Sequence, residues 1–420
     1  MDSPPAQNPQ AVAGARGALL ALTLLNLLNY VDRYVPSAVK DLFKADLGMT
    51  DAQTSYPLTA FVVVYMLASP VFGAMADRWP RRIVIAAGVA LWSLATAAAA
   101  LATGFWSFLV ARALVGVGEA AYATLSPGLI ADFFAPERRN KALTWFYVAI
   151  PVGAAVGFGV GGLLGQHFGW RTAFVAVGLP GLLAAAAVLR LRDPPIGLFE
   201  TPSADPPPNW PQALRLLRAN RPYVVAVAGY VLVTFASGAL ADWFPTFLAR
   251  HRGMDMATAG SVVGTGTVIG GLGGTVLGGF AGDWLAKYTR NPYFLLSGAT
   301  MAVACVLAAV ALQVSGKMPI LVAITLTQLF LWCYNGPINA VLINSTGANL
   351  RARAFALSIL AIHLLGDAVS PPIVGFIADV TGNLPGAMAV VPVTLGLGAV
   401  VWLAGWKMLP AAPIVPSSAG

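Results

Sequence analysis

The sequence predicts an all-α integral membrane protein in which twelve transmembrane helices form two pseudo-symmetric six-helix bundles. Three observations lead to this fold class: the scarcity of charged residues, the length of the apolar stretches, and a motif that recurs once in each half. Of the 420 residues, 58% are hydrophobic and 10% are charged, and the mean hydropathy is +0.74. Soluble domains usually carry about 25% charged residues. The composition therefore excludes an ordinary soluble protein.

Twelve apolar stretches are each long enough to cross a bilayer, which takes about 20 residues in a helix. They are about twice as long as the strands of a membrane barrel, and they lack the alternation of polar and apolar residues that such strands show. We therefore expect helices. The stretches are 16–38, 52–76, 82–101, 105–134, 138–166, 170–191, 221–249, 256–284, 292–314, 318–345, 352–378 and 384–408.

Lysine and arginine are distributed unequally between the two sides of this predicted topology. Seventeen fall on the side that carries the N-terminus, and six fall on the opposite side. Positive charge is enriched in cytoplasmic loops. We therefore expect a multi-pass protein of the cell (inner) membrane with both termini in the cytoplasm. The net charge of +8 follows from this bias and does not indicate a nucleic-acid partner.

A proline-rich stretch after the sixth apolar segment marks the boundary between the halves. Within it, residues 210–217 are expected to form a short helix on the membrane surface. The expected organisation is a disordered N-terminal tail at 1–15, a six-helix bundle at 16–191, a cytoplasmic linker at 192–220, a second six-helix bundle at 221–409 and a C-terminal tail at 410–420.

The two halves share sequence features. A Gly-x-x-x-Asp motif follows the second apolar stretch and recurs at the end of the eighth, and several transporter folds are built from such repeats. Glycines spaced four residues apart also line the fifth stretch from Gly153 and the eighth from Gly270. We expect these two helices to pack against each other. The alternative is that each packs tightly within its own half.

The first apolar stretch carries a polar stripe where hydrocarbon would be expected. The stripe consists of Asn26, Asn29, Asp32 and Arg33. Its members recur every three or four residues, so they share one face of a helix. A charge at the centre of a membrane helix costs roughly 2.5–3.5 kcal/mol. The stripe is therefore expected to face a cavity or partner groups rather than lipid.

The fourth apolar stretch adds a second pair of charges. Arg112 and Glu119 share one helix face, and Glu119 falls at a depth similar to that of Asp32. Burial and a neighbouring guanidinium act on a carboxylate in opposite directions, which is the balance that a proton-coupled carrier needs. We expect Asp32 and Glu119 to couple transport to protons.

The basic and amide groups beside these acids are expected to bind substrate. Arg33 is the expected anchor for an anionic head group, because a guanidinium binds phosphate through two hydrogen bonds. Arg112 and Asn29 are expected to assist it. The alternative is a permanent ion-pair cluster that locks the first and fourth spans together.

The tenth and eleventh stretches offer further candidates. Tyr334, Asn335 and His363 are expected to line the substrate site. Asp367 lies one helical turn from His363 and is expected to act in gating. Alternatively, Tyr334 is a packing residue and His363 is a neutral hydrogen-bonding group. Asp242, near the outer end of the seventh stretch, is expected to be solvated.

Several segments resemble known transporters. Residues 73–82 resemble the loop 2–3 signature of the major facilitator superfamily, with Pro80 in place of the usual glycine. Four further segments resemble the spinster family of lysolipid and sphingolipid transporters, namely 29–34, 118–120, 146–153 and 366–371. The resemblance implies the major facilitator fold, a monomer, alternating access and a lipid substrate. It also implies a gating latch.

The expected latch is formed by charges that follow the second and eighth stretches. It comprises Asp77, Arg78, Arg81, Arg82 and, in the second half, Asp283. The resemblance implies that such a latch stabilises the state open to the outside. Positive-inside charge alone would explain the arginines but not the repeated aspartate.

The expected function is secondary active transport of an amphiphilic lipid, such as a lysophospholipid or a sphingosine-phosphate-like molecule, by proton symport or antiport. A proton-driven exporter of drugs or other small molecules would share nearly every feature. A membrane-integral lipid-modifying enzyme would need a nucleophile beside a base, and no such pair is evident. No Gly-x-x-x-x-Gly-Lys motif occurs and only three histidines exist, so no ATP, metal or other cofactor is expected. The expected partners are the lipid substrate, protons and membrane lipids.

Overall fold

The protein is helical throughout the part that the structure describes. This computed structural model describes residues 12–76, 78–196, 198 and 208–408. Helices are the only regular elements among these residues. They are α1 Ala15–Ala38, α2 Lys40–Leu47, α3 Asp51–Ala76, α4 Arg81–Ala99, α5 Phe105–Phe133, α6 Pro136–Gly178, α7 Pro180–Val188, α8 Trp210–Ala219, α9 Arg221–His251, α10 Met256–Leu285, α11 Pro292–Gln313, α12 Lys317–Trp332, α13 Asn335–Ser345, α14 Ala348–Ile362, a π-helical turn His363–Asp367, α15 Ser370–Thr381, α16 Leu384–Met388 and α17 Val390–Met408.

Ten stretches of the described chain are long and apolar enough to cross a membrane. One of them, Lys141–Val188, has 48 residues and contains two of the expected spans. A break at Gly169 separates the two, where φ is +82°, a backbone conformation that favours glycine. α1 is absent from the ten because its polar stripe lowers its hydropathy. With these two corrections the ten stretches correspond to the twelve expected spans.

Two expected spans are interrupted where proline removes a backbone donor. The tenth divides into α12 and α13 because Pro337 has no N–H to offer the carbonyl of Cys333. In the eleventh, Pro372 leaves the carbonyl of Ala368 without its helical partner, and the hydroxyl of Thr59 donates to that carbonyl at 2.5 Å. A side chain thus satisfies the carbonyl that Pro372 frees.

The chain divides into two compact units. The first comprises residues 1–36 and 60–203, and the second comprises 37–59 and 204–420. The segment 37–59, which contains α2 and the start of α3, is therefore grouped with C-terminal helices. The residue limits of the two six-helix bundles, as expected from the sequence, remain a prediction. Much of the expected tails, at 1–11 and 410–420, lies outside the described residues.

The glycines of α6 bring that helix close to α1 within the first unit. A Cβ on Gly153 would lie 2.7 Å from the carbonyl oxygen of Leu27, and a Cβ on Gly157 would lie 2.7 Å from that of Val31. Real Cβ atoms do not approach a carbonyl so closely, so a larger residue would force the helices apart. The glycines permit direct backbone contact between α1 and α6.

The glycines of α10 serve the same purpose within the second unit. A Cβ on Gly274 would lie 2.1 Å from the carbonyl oxygen of Leu329, and one on Gly278 would lie 2.0 Å from that of Cys333. Both contacts are with α12 or its end. The expectation that the glycines of the fifth and eighth spans face each other is therefore wrong for these positions, because each set faces a helix of its own unit.

This packing predicts opposite effects for two neighbouring glycines. Gly278→Ala should destabilise the protein by about 1–3 kcal/mol, because the new methyl group overlaps a backbone carbonyl that cannot rotate away. Gly279→Ala is the matched control. A Cβ there meets nothing within 4 Å, so the change should be neutral or stabilising by up to about 1 kcal/mol. Thermal unfolding of both variants in one detergent is the measurement, and equal melting temperatures would contradict the packing.

Candidate functional site

Four charged side chains of α1 and α5 form two ion pairs within the first unit. Nη2 of Arg33 lies 2.6 Å from Oε2 of Glu119. Nη1 of Arg112 lies 3.0 Å from Oδ1 of Asp32. The adjacent residues Asp32 and Arg33 thus turn to different partners on the same helix. The structure brings together the four charges that the sequence indicated.

The pair formed by Asp32 and Arg112 is enclosed. The two side chains are 1% and 2% exposed. The hydroxyl of Thr96 donates to Oδ2 of Asp32, so both carboxylate oxygens have partners. The guanidinium of Arg112 lies 5.9 Å from the ring centres of Phe61 and Phe174. The charge of Asp32 is neutralised by Arg112, and each of its carboxylate oxygens has a hydrogen-bond partner.

The pair formed by Arg33 and Glu119 is more open. Glu119 is fully buried, whereas the Arg33 side chain is 20% exposed. Three aromatic rings surround the guanidinium carbon of Arg33, those of Phe61 at 4.8 Å, Tyr30 at 4.9 Å and Tyr65 at 5.7 Å. Oε1 of Glu119 and Nε of Arg33 are buried without a hydrogen-bond partner among the described residues. This pair therefore retains one acceptor and one donor for another molecule.

The asparagines of the polar stripe have different surroundings. Asn26 donates from Nδ2 to the carbonyl of Phe146 at 2.9 Å, so it ties α1 to α6. Asn29 is buried, and its Nδ2 has no hydrogen-bond partner among the described residues. Asn29 thus places a buried amide beside Glu119, on the helix that carries Arg33. Asn26 is committed to packing.

Glycine positions the charges of α5 against α3. A Cβ on Gly116 would lie 2.5 Å from the carbonyl oxygen of Phe61. Gly116 lies between Arg112 and Glu119 in α5, and the guanidinium groups of Arg112 and Arg33, the partner of Glu119, both lie within about 6 Å of the ring centre of Phe61. The local sequence therefore fixes the depth of the site as well as its charges.

The candidate residues of the tenth span make contacts within the second unit. Tyr334 is buried, and its ring lies 5.1 Å from that of Tyr230 and 5.5 Å from that of Trp402. Asn335 accepts at Oδ1 from Nδ2 of Asn339 at 3.2 Å. Tyr334 is therefore part of an aromatic cluster, as the packing alternative expects.

His363 and Asp367 form a contact across the π-helical turn. Nδ1 of His363 lies 3.0 Å from both carboxylate oxygens of Asp367. The two side chains are 28% and 27% exposed. The turn packs closely on α9, because a Cβ on Gly238 would lie 2.7 Å from the Cα of Asp367. π-helical turns are frequent at functional sites.

Arg81 is the centre of a buried cluster in the first unit. It contacts Oδ2 of Asp132 at 2.5 Å, Oδ1 of Asp193 at 3.0 Å and the carbonyl of Pro194 at 2.6 Å. Arg82 donates to the carbonyl of Leu191 at 3.0 Å. These contacts join the start of α4 to the end of α5 and to the chain after α7.

The other expected latch residues are placed differently. Arg78 and Asp283 are exposed, Arg78 between α3 and α4 and Asp283 near the end of α10. Asp77 lies outside the described residues. Among the described residues, Arg81 and Arg82 are the latch candidates with cross-element contacts.

The structure contains a polar cluster in the second unit that sequence analysis missed. Lys40 and Asp242 form a buried ion pair, and the hydroxyls of Ser55 and Ser37 donate to Asp242 at 2.7 and 3.1 Å. The ammonium of Lys40 lies 3.8 Å from the ring centre of Trp243. Burial lowers the pKa of Lys40, and the Asp242 carboxylate opposes that shift. The expectation that Asp242 is solvated is wrong, because it is 3% exposed.

Two further contacts hold the segment 37–59. Arg250 lies 2.5 Å from Oδ1 of Asp41 and 2.8 Å from Oδ1 of Asp51. The carboxylate of Asp379 accepts from the backbone N–H groups of Asp51 and Ala52, at 2.8 and 2.9 Å, at the N-terminus of α3. The charged residues of 40–51 were the only sign of this cluster in the sequence. Their partners Asp242, Arg250 and Asp379 lie about 200 or more residues away in the chain.

Comparisons with known proteins agree with this architecture. Residues 22–366 match the Major Facilitator Superfamily. A bacterial homolog of the human lysosomal transporter spinster, solved in an inward-facing and unoccupied conformation, has a TM-score of 0.78 at 22% identity, with 96% of each chain covered. A D-xylose–proton symporter has a TM-score of 0.76 at 17% identity, covering 94% of this chain and 98% of that one. These likenesses establish the fold of two six-helix bundles.

Curated relatives give the family within the superfamily. Protein spinster of Drosophila melanogaster is 32% identical over 370 residues, which cover 85% of this chain and 61% of the fly protein. Protein spinster homolog 1 of Xenopus laevis is 32% identical over 86% of this chain and 72% of its own length, and the human homolog 1 is 32% identical over 89% and 75%. These matches indicate a transporter and not an enzyme. The chain therefore belongs to the spinster-like transporters of the major facilitator superfamily.

Proposed function

We propose that this protein is a proton-coupled secondary transporter of an amphiphilic lipid with an anionic head group, such as a lysophospholipid or a sphingosine-phosphate-like molecule. The observation that carries the proposal is the Arg33–Glu119 pair. It combines a partly exposed guanidinium, a fully buried carboxylate and unpaired hydrogen-bonding atoms on both. A pair with these properties can exchange one partner for another.

The coupling follows from competition for one guanidinium. A phosphate that binds Arg33 through two hydrogen bonds displaces Glu119, because either edge of the guanidinium that can form two such bonds includes Nη2, the donor that Glu119 occupies. Glu119 is then a buried carboxylate without its counter-charge, and a proton is the smallest group that neutralises it. Return of Glu119 to Arg33 releases both the proton and the head group. Substrate binding and proton binding are thus linked through a single side chain.

The Arg112–Asp32 pair has a supporting role in this proposal. Both side chains are enclosed and Thr96 completes the hydrogen bonding of Asp32. Asp32 also contributes the nearby negative charge that makes a second buried anion at Glu119 less favourable. We therefore place Arg33 in contact with the head group and Arg112 behind it. Tyr334, Asn335 and His363 remain proposed contacts for the rest of the substrate.

The aromatic rings around Arg33 support an amphiphilic ligand. They leave the guanidinium one edge for a polar group and offer apolar surface beside it. The likeness to the spinster family supports a lipid over a sugar or a drug. A proton-driven exporter of other small molecules would use the same pair, and a substrate panel separates the two.

The proposed cycle is alternating access in the cell (inner) membrane by a monomer with both termini in the cytoplasm. The distribution of lysine and arginine supports this orientation. It places the segment 37–59 at the outer side. We propose that this segment separates from α9 and α15 when the outer side opens, because polar contacts with Asp242, Arg250 and Asp379 hold it there. Arg81 and Arg82 would act at the inner side, with Asp77, Arg78, Asp283 and Asp367 as further gating candidates.

Removal of the Glu119 carboxylate should abolish coupling. In proteoliposomes with a labelled lysophospholipid, a one-unit pH gradient can sustain about tenfold accumulation or depletion at one proton per lipid. Glu119→Gln should bring this ratio to about one, and Asp32→Asn should lower it together with stability. Asp255→Asn is the control, because asparagine caps α10 as well as aspartate does. A Glu119→Gln protein that still responds to the gradient would falsify the coupling assignment.

Removal of the Arg33 guanidinium should affect substrates according to their head groups. Without a pH gradient, Arg33→Ala should lower the initial rate for a lysophospholipid by at least about tenfold and leave that for a monoacylglycerol of the same chain length within about twofold. Arg33→Lys keeps the positive charge but loses the paired N–H groups of the guanidinium, so its rate for the lysophospholipid should be intermediate. Arg290→Ala, at an exposed arginine, is the control. If Arg33→Ala lowered the transport rates of the two lipids equally, Arg33 would not recognise the phosphate.

Loss of the Lys40–Asp242 pair should loosen the segment 37–59. In a Cys305→Ala, Cys333→Ala background, a reporter Thr54→Cys should react slowly with a membrane-impermeant maleimide, since Thr54 is 4% exposed. Adding Asp242→Asn should raise the labelling rate at least about fivefold, because it leaves Lys40 buried without its counter-charge. Asp255→Asn is again the matched control. An unchanged rate would mean that the pair does not hold the segment.

A further inference from the structure

Five arginines of the second unit form a group that the proposed transport site does not use. Two lie on α8, one begins α9 and two lie on α14. They are Arg215, Arg218, Arg221, Arg351 and Arg353, here called the arginine patch. The first three are exposed and the other two are half-buried. α8 packs against both α9 and α14, which brings the arginines to one part of the unit.

Hydrogen bonds fix these elements to one another. Asn220 ends α8, and its Nδ2 donates to the carbonyl of Ser345 at 2.6 Å. Its Oδ1 accepts from the N–H of Tyr223 at the start of α9, at 3.1 Å. The hydroxyl of Tyr223 donates to the carbonyl of Ala354 in α14 at 2.9 Å. The arginine patch is therefore carried by anchored helices.

Acidic residues are absent from the two sequence stretches that carry the arginine patch. The sequence has no aspartate or glutamate from 206 to 241 or from 284 to 366, the stretches that contain all five arginines. Nε of Arg351 and Nε of Arg353 are buried without a hydrogen-bond partner among the described residues. The positive-inside rule explains the sign of charge on this side, but not the two arginine donors that have no hydrogen-bond partner among the described residues.

α8 also has the surface of an interfacial helix. Ala213 and Leu217 are buried, whereas Trp210 and Leu216 flank them at 55% and 53% exposure. The guanidinium of Arg353 lies 5.4 Å from the ring centre of Trp210. A helix of ten residues is about 15 Å long and cannot cross a bilayer. Exposed tryptophan and leucine beside arginine are typical of a helix that lies at the head-group level.

We propose that α8 and the arginine patch bind the head groups of anionic phospholipids in the leaflet against which α8 lies. Trp210 and Leu216 enter the boundary of the acyl chains, and the arginines bind phosphate oxygens. The lipid is a bound component of the membrane and not the cargo, since none of the five arginines belongs to the proposed transport site. Each arginine near an anionic surface strengthens binding by about fivefold.

Lipid retention by the full-length protein tests this proposal. Protein extracted from nanodiscs of equal phosphatidylglycerol and phosphatidylcholine should retain phosphatidylglycerol preferentially, as counted by mass spectrometry of the purified protein. The triple variant Arg215→Gln, Arg218→Gln, Arg353→Gln should lose at least about fivefold of that preference. High salt should reduce the preference of the unaltered protein. Melting temperature and elution volume report whether the variant remains folded.

A second triple variant controls for net charge. Arg138→Gln, Lys287→Gln, Arg290→Gln removes three exposed cations elsewhere on the same predicted side, and it should keep the preference. Equal losses in the two variants, or no preference in the unaltered protein, would overturn the site. A competition result could also overturn the site. If excess lysophospholipid displaced the retained phosphatidylglycerol from the unaltered protein but not from Arg33→Ala, the phosphatidylglycerol would occupy the transport site. If the patch binds an acidic protein instead, lipid retention will not depend on it.

Discussion

A charge in an apolar interior is stable only beside a counter-charge, and the first unit depends on this constraint. Asp32 and Arg33 are adjacent on α1, yet each is neutralised by α5, through Arg112 and Glu119. Removing one partner of a buried pair costs about 3–5 kcal/mol, because the other charge is left alone. The two pairs therefore fix the rotation and depth of α1 against α5. The glycines of α6 bring α1 close to α6, and Gly116 brings α5 close to α3.

The sequence was sufficient for the fold class and for the grouping of these four charges, because each depends on local spacing. Hydropathy identifies spans, and a repeat of three or four residues identifies a face. Neither identifies a partner. Spacing could not show that neighbours on α1 pair with different residues, and the burial of Asp242 depends on Lys40, which lies about 200 residues earlier. The glycine contacts were assigned to the wrong neighbour for the same reason. The breaks at Pro337 and Pro372 follow from local chemistry, because proline has no backbone N–H to donate.

The second unit uses two kinds of contact with different mechanical properties. Gly274 and Gly278 place α10 against the backbone of α12, where no water or ion can substitute for the contact. The segment 37–59 is held by carboxylates, cations and hydroxyls, and the N-terminus of α3 is capped by Asp379 from α15. Water can replace each of these partners once the segment moves. Backbone packing thus suits a rigid body, and polar contacts suit a surface that opens and closes.

The sequence posed two alternatives for the buried charges, a permanent lock or a responsive site, and the geometry assigns one to each pair. Asp32 has a hydrogen-bond partner at each oxygen and an ion-pair partner that is 2% exposed, so both charges are closed off from an incoming ligand. Glu119 keeps one oxygen unpaired, and its partner Arg33 is tenfold more exposed than Arg112. The same ion-pair chemistry can therefore hold two helices together in one place and exchange partners two turns away along α5. Under the proposed function the enclosed pair is what allows the open pair to change, because α1 and α5 stay joined while Glu119 leaves Arg33.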